Sequence, residues 1–382
     1  MTVKARGTGL LPMLDEVLEA AQSALAEPAG AVARWRATHS GPAIGYLPYD
    51  MPVEIIHAAG ALPVAVLPPG PGGEQVEAHL PGWICSPARR FLAAARRHEL
   101  GWADGLVIPG TCDTMRGLKG LWQFLEAPPF LEPYFPPRAT RPSAVPYLAA
   151  ELARLVDRVG AFAGHVPDAG DLAASIAIYD GLRRELARVF GYHVQNPDAV
   201  TNRHWYTLVR AAMVLPPEEM TALLAKVAAP PESTPATGVR VLVSGQLMEP
   251  PELAGLMDDA GLVAVGDDLV DGQRFLRPAP ADPDPLTALA RQACSAPPGK
   301  IQSGREPREA YLAALARECR AVGVVFVHFR NCEMENLGYP GLRDRLEKQG
   351  LPTLQIETQW GTAAAGAVVT RLEAFREMLE GV

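Results

Sequence analysis

The sequence predicts an α/β protein with parallel sheets, divided into two domains that face each other across a cleft. Three observations predict it. Short apolar runs, such as Leu106 to Ile108 and Val322 to Phe329, alternate with stretches of helical periodicity through both halves. Strand–helix alternation of this kind builds parallel sheets. The 382 residues suit two domains, at roughly 100–200 residues each. A polar, proline-rich stretch from Ala228 to Thr237 separates the two alternating series. The expected division is an N-terminal α/β domain over 1–228 with a helical insertion, a linker over 229–238, and a C-terminal α/β domain over 239–382.

In the first half, Leu14, Val17, Leu18, Ala21 and Leu25 recur at helical spacing, so 11–35 reads as one helix. Pro42 to Pro48 reads as a first strand. Pro52 to Gly60 is a short helix, with Pro52 suited to its first turn and Gly60 to its C-terminal cap. Ala61 to Leu67 is a second strand, followed by Cys85, a helix from Ala88 to Glu99, and the strand that leads to Cys112. Leu118, Leu121, Trp122 and Leu125 then continue with helical spacing.

Pro128 to Pro146 is too rich in proline for a regular helix or a central strand and reads as a crossing segment. Helices are expected over 147–163, 172–190, 202–213 and 217–227. The second half restarts with a strand over 239–244, a helix over 250–261 and a strand over 262–266. Helices over 287–296 and 307–322 precede the strand that runs to Cys332, and a helix over 341–349, a strand over 353–356 and a helix over 364–379 complete the series.

Composition narrows the function. Net charge is −8 and no basic run is present, which disfavours a nucleic-acid partner because phosphate binding needs clustered Lys and Arg. No apolar segment approaches the roughly 18 residues of a membrane helix. The first residues lack the apolar core of a signal peptide, so a cytoplasmic location is expected. Neither G-x-G-x-x-G nor a P-loop occurs, so binding of NAD or ATP in the usual ways is not expected.

Five cysteines in a chain of this length argue for free or metal-bound thiols over a disulfide framework. Cys319 follows Leu312 and Leu315 on one helical face, and Cys294 ends a helix; both suit packing roles. Cys85, Cys112 and Cys332 match no local iron–sulfur or zinc spacing. Spacing alone leaves two readings open: buried structural thiols, or thiolates on a shared inorganic cofactor. Spacing favours the first; placement after strands, beside Pro, Gly and Asp, raises the second, because open α/β sheets put their ligands at strand carboxyl ends.

The neighbours have plain readings too. His57 and His328 suit structural roles. Asp113 and Glu333 each follow one of these cysteines and suit helix capping. The acidic turn around Asp267, Asp268 and Asp271 suits a ribose or a cation, but a turn of Asp and Gly needs no ligand.

Several runs together resemble the catalytic subunits of the benzoyl-CoA reductase / 2-hydroxyacyl-CoA dehydratase superfamily. They are Pro52 to Pro63, Gly105 to Arg116 with its Thr-Cys-Asp core, Gly266 to Arg274, Cys332 with Pro340-Gly341-Leu342-Arg343, and Thr370 to Phe375. The resemblance implies two Rossmann-like (flavodoxin-like) domains with a [4Fe-4S] cluster in the cleft, held by three cysteines that map onto Cys85, Cys112 and Cys332. Tyr49, Arg116 and Arg330 are the expected neighbours of that site. It also implies a homologous cluster-binding partner subunit, a separate ATP-hydrolysing iron–sulfur activator, and an acyl-CoA substrate reduced one electron at a time.

Where dehydratase members carry Cys and Ser before the first proline motif, this chain has Leu47-Pro48-Tyr49-Asp50, and Ala367 stands where glutamine is expected. The run Cys85 to Arg90 and the region of Trp122 look closer to the smaller core subunit of the reductase branch. The expectation is thus a cluster-carrying core subunit of an aromatic acyl-CoA reductase. The rivals are a 2-hydroxyacyl-CoA dehydratase subunit, a non-catalytic electron-relay or scaffolding subunit, and a cluster-free α/β binding protein.

Overall fold

The computed structural model describes residues 12–49, 51–72, 76–122, 124–125, 127–129, 131, 141–229, 238–297, 305–362 and 365–381. Most of the expected linker (230–237) and part of the proline-rich crossing segment (132–140) lie outside the described residues.

The protein is α/β, with two parallel sheets. The first holds β1 (Ala43–Tyr46), β2 (Leu62–Ala65) and β3 (Gly105–Val107) in the order β2-β1-β3. Every residue of these strands is buried, as expected for parallel strands covered on both faces. The second holds β4 (Val239–Gly245), β5 (Leu262–Asp267), β6 (Gly323–Phe329) and β7 (Thr353–Thr358) in the order β5-β4-β6-β7.

The alternation within the second sheet assigns its two faces. Val241, Val243, Val325 and Val327 belong to the main hydrophobic core, together with residues of the first sheet. Leu242, Val324 and Phe326 point the other way, into a smaller core. There they meet Leu312 of α12 (Arg305–Cys319) and Leu346 of α14 (Tyr339–Lys348). On the main-core face, α10 (Glu252–Asp259) and α15 (Ala365–Glu380) supply Leu253, Met257, Leu372 and Phe375.

The N-terminal region is two helices, α1 (Pro12–Ala26) and α2 (Pro28–Arg36), where periodicity predicts one. Pro28 is the reason, since it lacks an N–H and starts the second helix within its first turn. Between the sheets lie α6 (Ala144–Ala163), α7 (Ala169–Gln195), α8 (Asn202–Ala211) and α9 (Pro217–Ala225). A capping box of Asp168 and Asp171 starts α7, and one of Thr201 and His204 starts α8.

These inserted helices bind the sheets together. Asn202 donates to the Leu262 carbonyl at 2.7 Å and accepts from the Ala264 N–H at 2.8 Å, so it pairs with the free edge of β5. Arg183 of α7 bonds Glu54 of α3 (Val53–Ala58) at 2.5 Å, and both side chains are buried. Arg210 of α8 sits between Glu249 and Asp271, at 3.0 Å from each.

Candidate functional site

The three cysteines stand in the same local setting. Cys85 is the N-cap of α4 (Ser86–Arg96). Cys112 directly precedes α5 (Asp113–Trp122), and its Sγ accepts the Met115 N–H at 3.5 Å. Cys332 is the N-cap of α13 (Glu333–Asn336), a short helix that periodicity could not reveal. Cys112 follows β3 and Cys332 follows β6, so both lie beyond strand carboxyl ends. Asp113 and Glu333 open the helices as first residues, and the cysteines themselves take the flanking position.

The two halves bring these thiols into one electrostatic neighbourhood. Burial pushes the Cys85 thiol up to about 12, backbone hydrogen bonding pulls the other way, and nearby Cys332 and Cys112 add to the rise. Burial also raises Cys112, with Cys332 again contributing. Tyr49, which follows β1, is buried and held neutral by its burial first, then by Cys85, Cys332 and Cys112. The structure therefore gathers Tyr49 with all three thiols. None of the five cysteines is in a disulfide.

Contacts between the halves fix this arrangement. The Trp360 backbone N–H, just past β7, donates to Ser86 Oγ at 2.9 Å, one residue from Cys85. Gly361 has φ +68°, and a Cβ there would lie 2.2 Å from the Gly70 carbonyl carbon, so only glycine permits this approach of two backbones. Asn331, with φ 62°, turns the chain before Cys332.

Arg116 and Arg330 have more than half of their side-chain surface exposed. Arg116 donates to the Gly110 carbonyl at 3.3 Å, and Arg330 pairs with Glu357 at 2.7 Å. Arg330 lines a cleft of about 280 Å³ between the halves, together with Gly82, Ser86, Arg89, Asn331 and Gln359. Cys294 and Cys319 pack against the main and the smaller core respectively. His57 joins Ser175 at 3.0 Å and Glu218 at 3.2 Å. His328 is buried in β6 beside Gln355. The acidic turn folds on itself: Asp267 accepts from the Leu269 and Gln273 N–H groups, and Asp271 from Met248 and Arg210.

Sequence reasoning missed Glu54. It is fully buried, one carboxylate oxygen faces Arg183, and the other has no hydrogen-bond partner among the described residues. It lines a second pocket of about 80 Å³ with Tyr46, Met51, Met213 and Phe275. The only signal was a charge inside the apolar run Val53-Glu54-Ile55-Ile56.

The family model for 2-hydroxyglutaryl-CoA dehydratase, D-component, matches residues 48–379. The chain belongs to this family. A benzoyl-CoA reductase subunit of Thauera aromatica is 29% identical over 341 residues, covering 86% of this chain and 88% of that protein. The beta subunit of lactoyl-CoA dehydratase of Anaerotignum propionicum is 26% identical, covering 96% of this chain and 99% of its own length. The beta subunit of (R)-2-hydroxyglutaryl-CoA dehydratase of Acidaminococcus fermentans is also 26% identical, over 96% of this chain and all of its own. The family match takes in every strand except β1, and all three cysteines, which agrees with the resemblance read from the motifs. Among the described residues, no helix of this family member is long and apolar enough to cross a membrane.

Proposed function

We propose that this chain is the iron–sulfur core subunit of an activator-driven, ATP-dependent reductase of the benzoyl-CoA reductase type. The observation that carries the reading is the gathering of Cys85, Cys112 and Cys332 around Tyr49 from both halves of the chain. The likeness to the benzoyl-CoA reductase protein of Thauera aromatica supports the reductase branch. In this reading the two sheets are the cores of two Rossmann-like (flavodoxin-like) domains that meet at the site, with the boundary at 229–238. The proposed partners are a homologous cluster-binding subunit and an ATP-hydrolysing activator, the proposed substrate is an aromatic acyl-CoA, and the proposed compartment is the cytoplasm.

The donor set suits a [4Fe-4S] cluster. Three thiols outside any disulfide, at helix starts, offer soft sulfur ligands, and backbone N–H groups face at least two of them. Burial disfavours the thiolate forms of Cys85 and Cys112, and a bound metal would reverse that preference. Among the described residues no group of three or more His, Cys, Asp or Glu side chains is arranged to hold a metal ion. A cluster is wider than an ion, so thiols that share one stand farther apart.

When bound, such a cluster supplies low-potential electron transfer. The chain's own residues do the rest. The three thiols would hold the cluster, and the N-termini of α4 and α5 would place partial positive charge behind Cys85 and Cys112. Tyr49 stays neutral through burial and keeps its hydroxyl proton. Apolar packing around Cys85 excludes water from the site.

A second reading, a 2-hydroxyacyl-CoA dehydratase subunit, is favoured by the longer coverage of the lactoyl-CoA and (R)-2-hydroxyglutaryl-CoA dehydratase beta subunits. Anaerobic purification with iron and sulfide analysis tests the shared part: about four irons per chain are expected, and none removes both readings. Cys112→Ala should abolish the cluster's visible absorbance. Supplying the assembled complex with benzoyl-CoA and, separately, a 2-hydroxyacyl-CoA distinguishes the readings. Ring reduction supports the first, and loss of the hydroxyl as water supports the second.

A further inference from the structure

We propose that Glu249, held by Arg210, is a positioning residue: it fixes the turn at Trp360 and Gly361, and through that turn the separation of Cys85 from Cys332. Glu249 lies in the second half and is buried. Its two carboxylate oxygens take partners from different places. Oε2 accepts from Arg210 of α8, in the first half, at 3.0 Å. Oε1 accepts from the Gly361 N–H, in the turn after β7, at 2.9 Å. One buried carboxylate therefore ties a helix of the first half to a turn of the second. Burial raises the Glu249 carboxyl, and Arg210 and then the Gly361 N–H pull it back down. The N–H thus favours the charged form, and a charged acceptor grips it more firmly than a neutral one would.

The turn reaches towards both thiols. On one side the Trp360 N–H donates to Ser86 Oγ, and Ser86 directly follows Cys85. On the other, the Arg330 N–H donates to the Thr358 carbonyl at 2.8 Å, and the Trp360 ring stacks with Phe329. The strand end that leads into the turn is therefore tied to the segment that leads to Cys332. Arg210, Glu249, the turn and Ser86 form a series of hydrogen bonds that leaves the first half, crosses the second and returns to the first beside Cys85. Arg210 is itself held in place by Asp271 and by the Met248 carbonyl, each at 3.0 Å. That the separation matters rests on the proposed function, because a site assembled from both halves works only when its groups are held within a fraction of an ångström.

The test is cross-linking of the full chain, with metal removed, by a short reagent that carries two thiol-reactive arms. Peptide mapping measures the rate of the Cys85–Cys332 link, and thermal unfolding of each variant controls for folding. Glu249→Ala should slow the link by about tenfold or more, the factor expected for loss of one hydrogen bond to a charged group. Glu249→Gln keeps an acceptor for the Gly361 N–H and should restore most of the rate. Arg183→Met breaks the other buried pair and should leave the rate unchanged, which separates positioning from stability as such. If Glu249→Ala does not fold, Ser86→Ala cuts the same series of bonds at its far end and should slow the link likewise. An unchanged rate in the folded variant, or an equal fall in Arg183→Met, overturns the assignment. Iron is measured on anaerobically purified samples of the same proteins. A link that depends on Glu249 in a chain that binds no iron removes the cluster reading and leaves this one standing. Iron bound with a link indifferent to Glu249 does the reverse, and absence of the link in the native protein removes both.

Discussion

The indole Nε1 of Trp360 donates to the carbonyl oxygen of Pro68 at 2.8 Å, joining the turn after β7 to the loop after β2. The ring also packs edge-on to Phe91 and stacks with Phe329, so one side chain spans both halves. Trp360→Phe keeps most of the ring contact and strands the buried carbonyl. A loss of about 1–3 kcal/mol is expected. It should show as a lower urea midpoint with unchanged slope.

Glu54 and Arg183 make a second, fully buried link, between α3 and α7. Removing one partner leaves an uncompensated charge, so Arg183→Met should cost about 3–5 kcal/mol. Adding Glu54→Gln should recover a large part of it. A double variant no more stable than Arg183→Met would mean that packing or the Arg183 bond to the Phe275 carbonyl dominates.

Burial pushes the Asp267 carboxyl from 3.8 to about 7, while N–H groups of Gln273 and Leu269 pull it down and nearby Asp268 and Asp271 add to the rise. The folded value exceeds the unfolded one, so the folded state binds more protons between these two values. The stability contributed by the neutral acid is present in full below the unfolded value and is lost as pH rises through about 7. Other groups titrate in this window, so the informative quantity is the difference between the native protein and Asp267→Asn. That difference should move in favour of the variant by a few kcal/mol from about pH 4 to about pH 8.

The five thiols should divide cleanly under substitution. Cys85→Ala and Cys332→Ala should each lose iron and visible absorbance after anaerobic purification. Cys294→Ala and Cys319→Ala should keep both, since those side chains pack against the cores. Iron loss in Cys319→Ala with the fold intact would reassign the ligands.

The alternation was legible because a parallel strand covered on both faces must be apolar along its length, as Val324 to Val327 is. The placement of Cys112 and Cys332 was legible for the same reason, since each directly follows such a run. The break at Pro28 went unread because the apolar spacing continues across it. Helix α7 starts earlier than its apolar pattern, at a polar capping box that periodicity does not register. The Trp360–Pro68 contact and the burial of Glu54 depend on where distant segments meet, which local patterns do not encode.

The turn that carries Cys332 has a bearing on how the protein matures. It follows β6 and is made late in synthesis, whereas Cys85 and Cys112 leave the ribosome early. A nascent chain thus presents two of the three proposed ligand sulfurs and lacks the third. If the proposed cluster is bound, loading with iron is a step for finished molecules, and a prematurely terminated chain would be a poor acceptor for it.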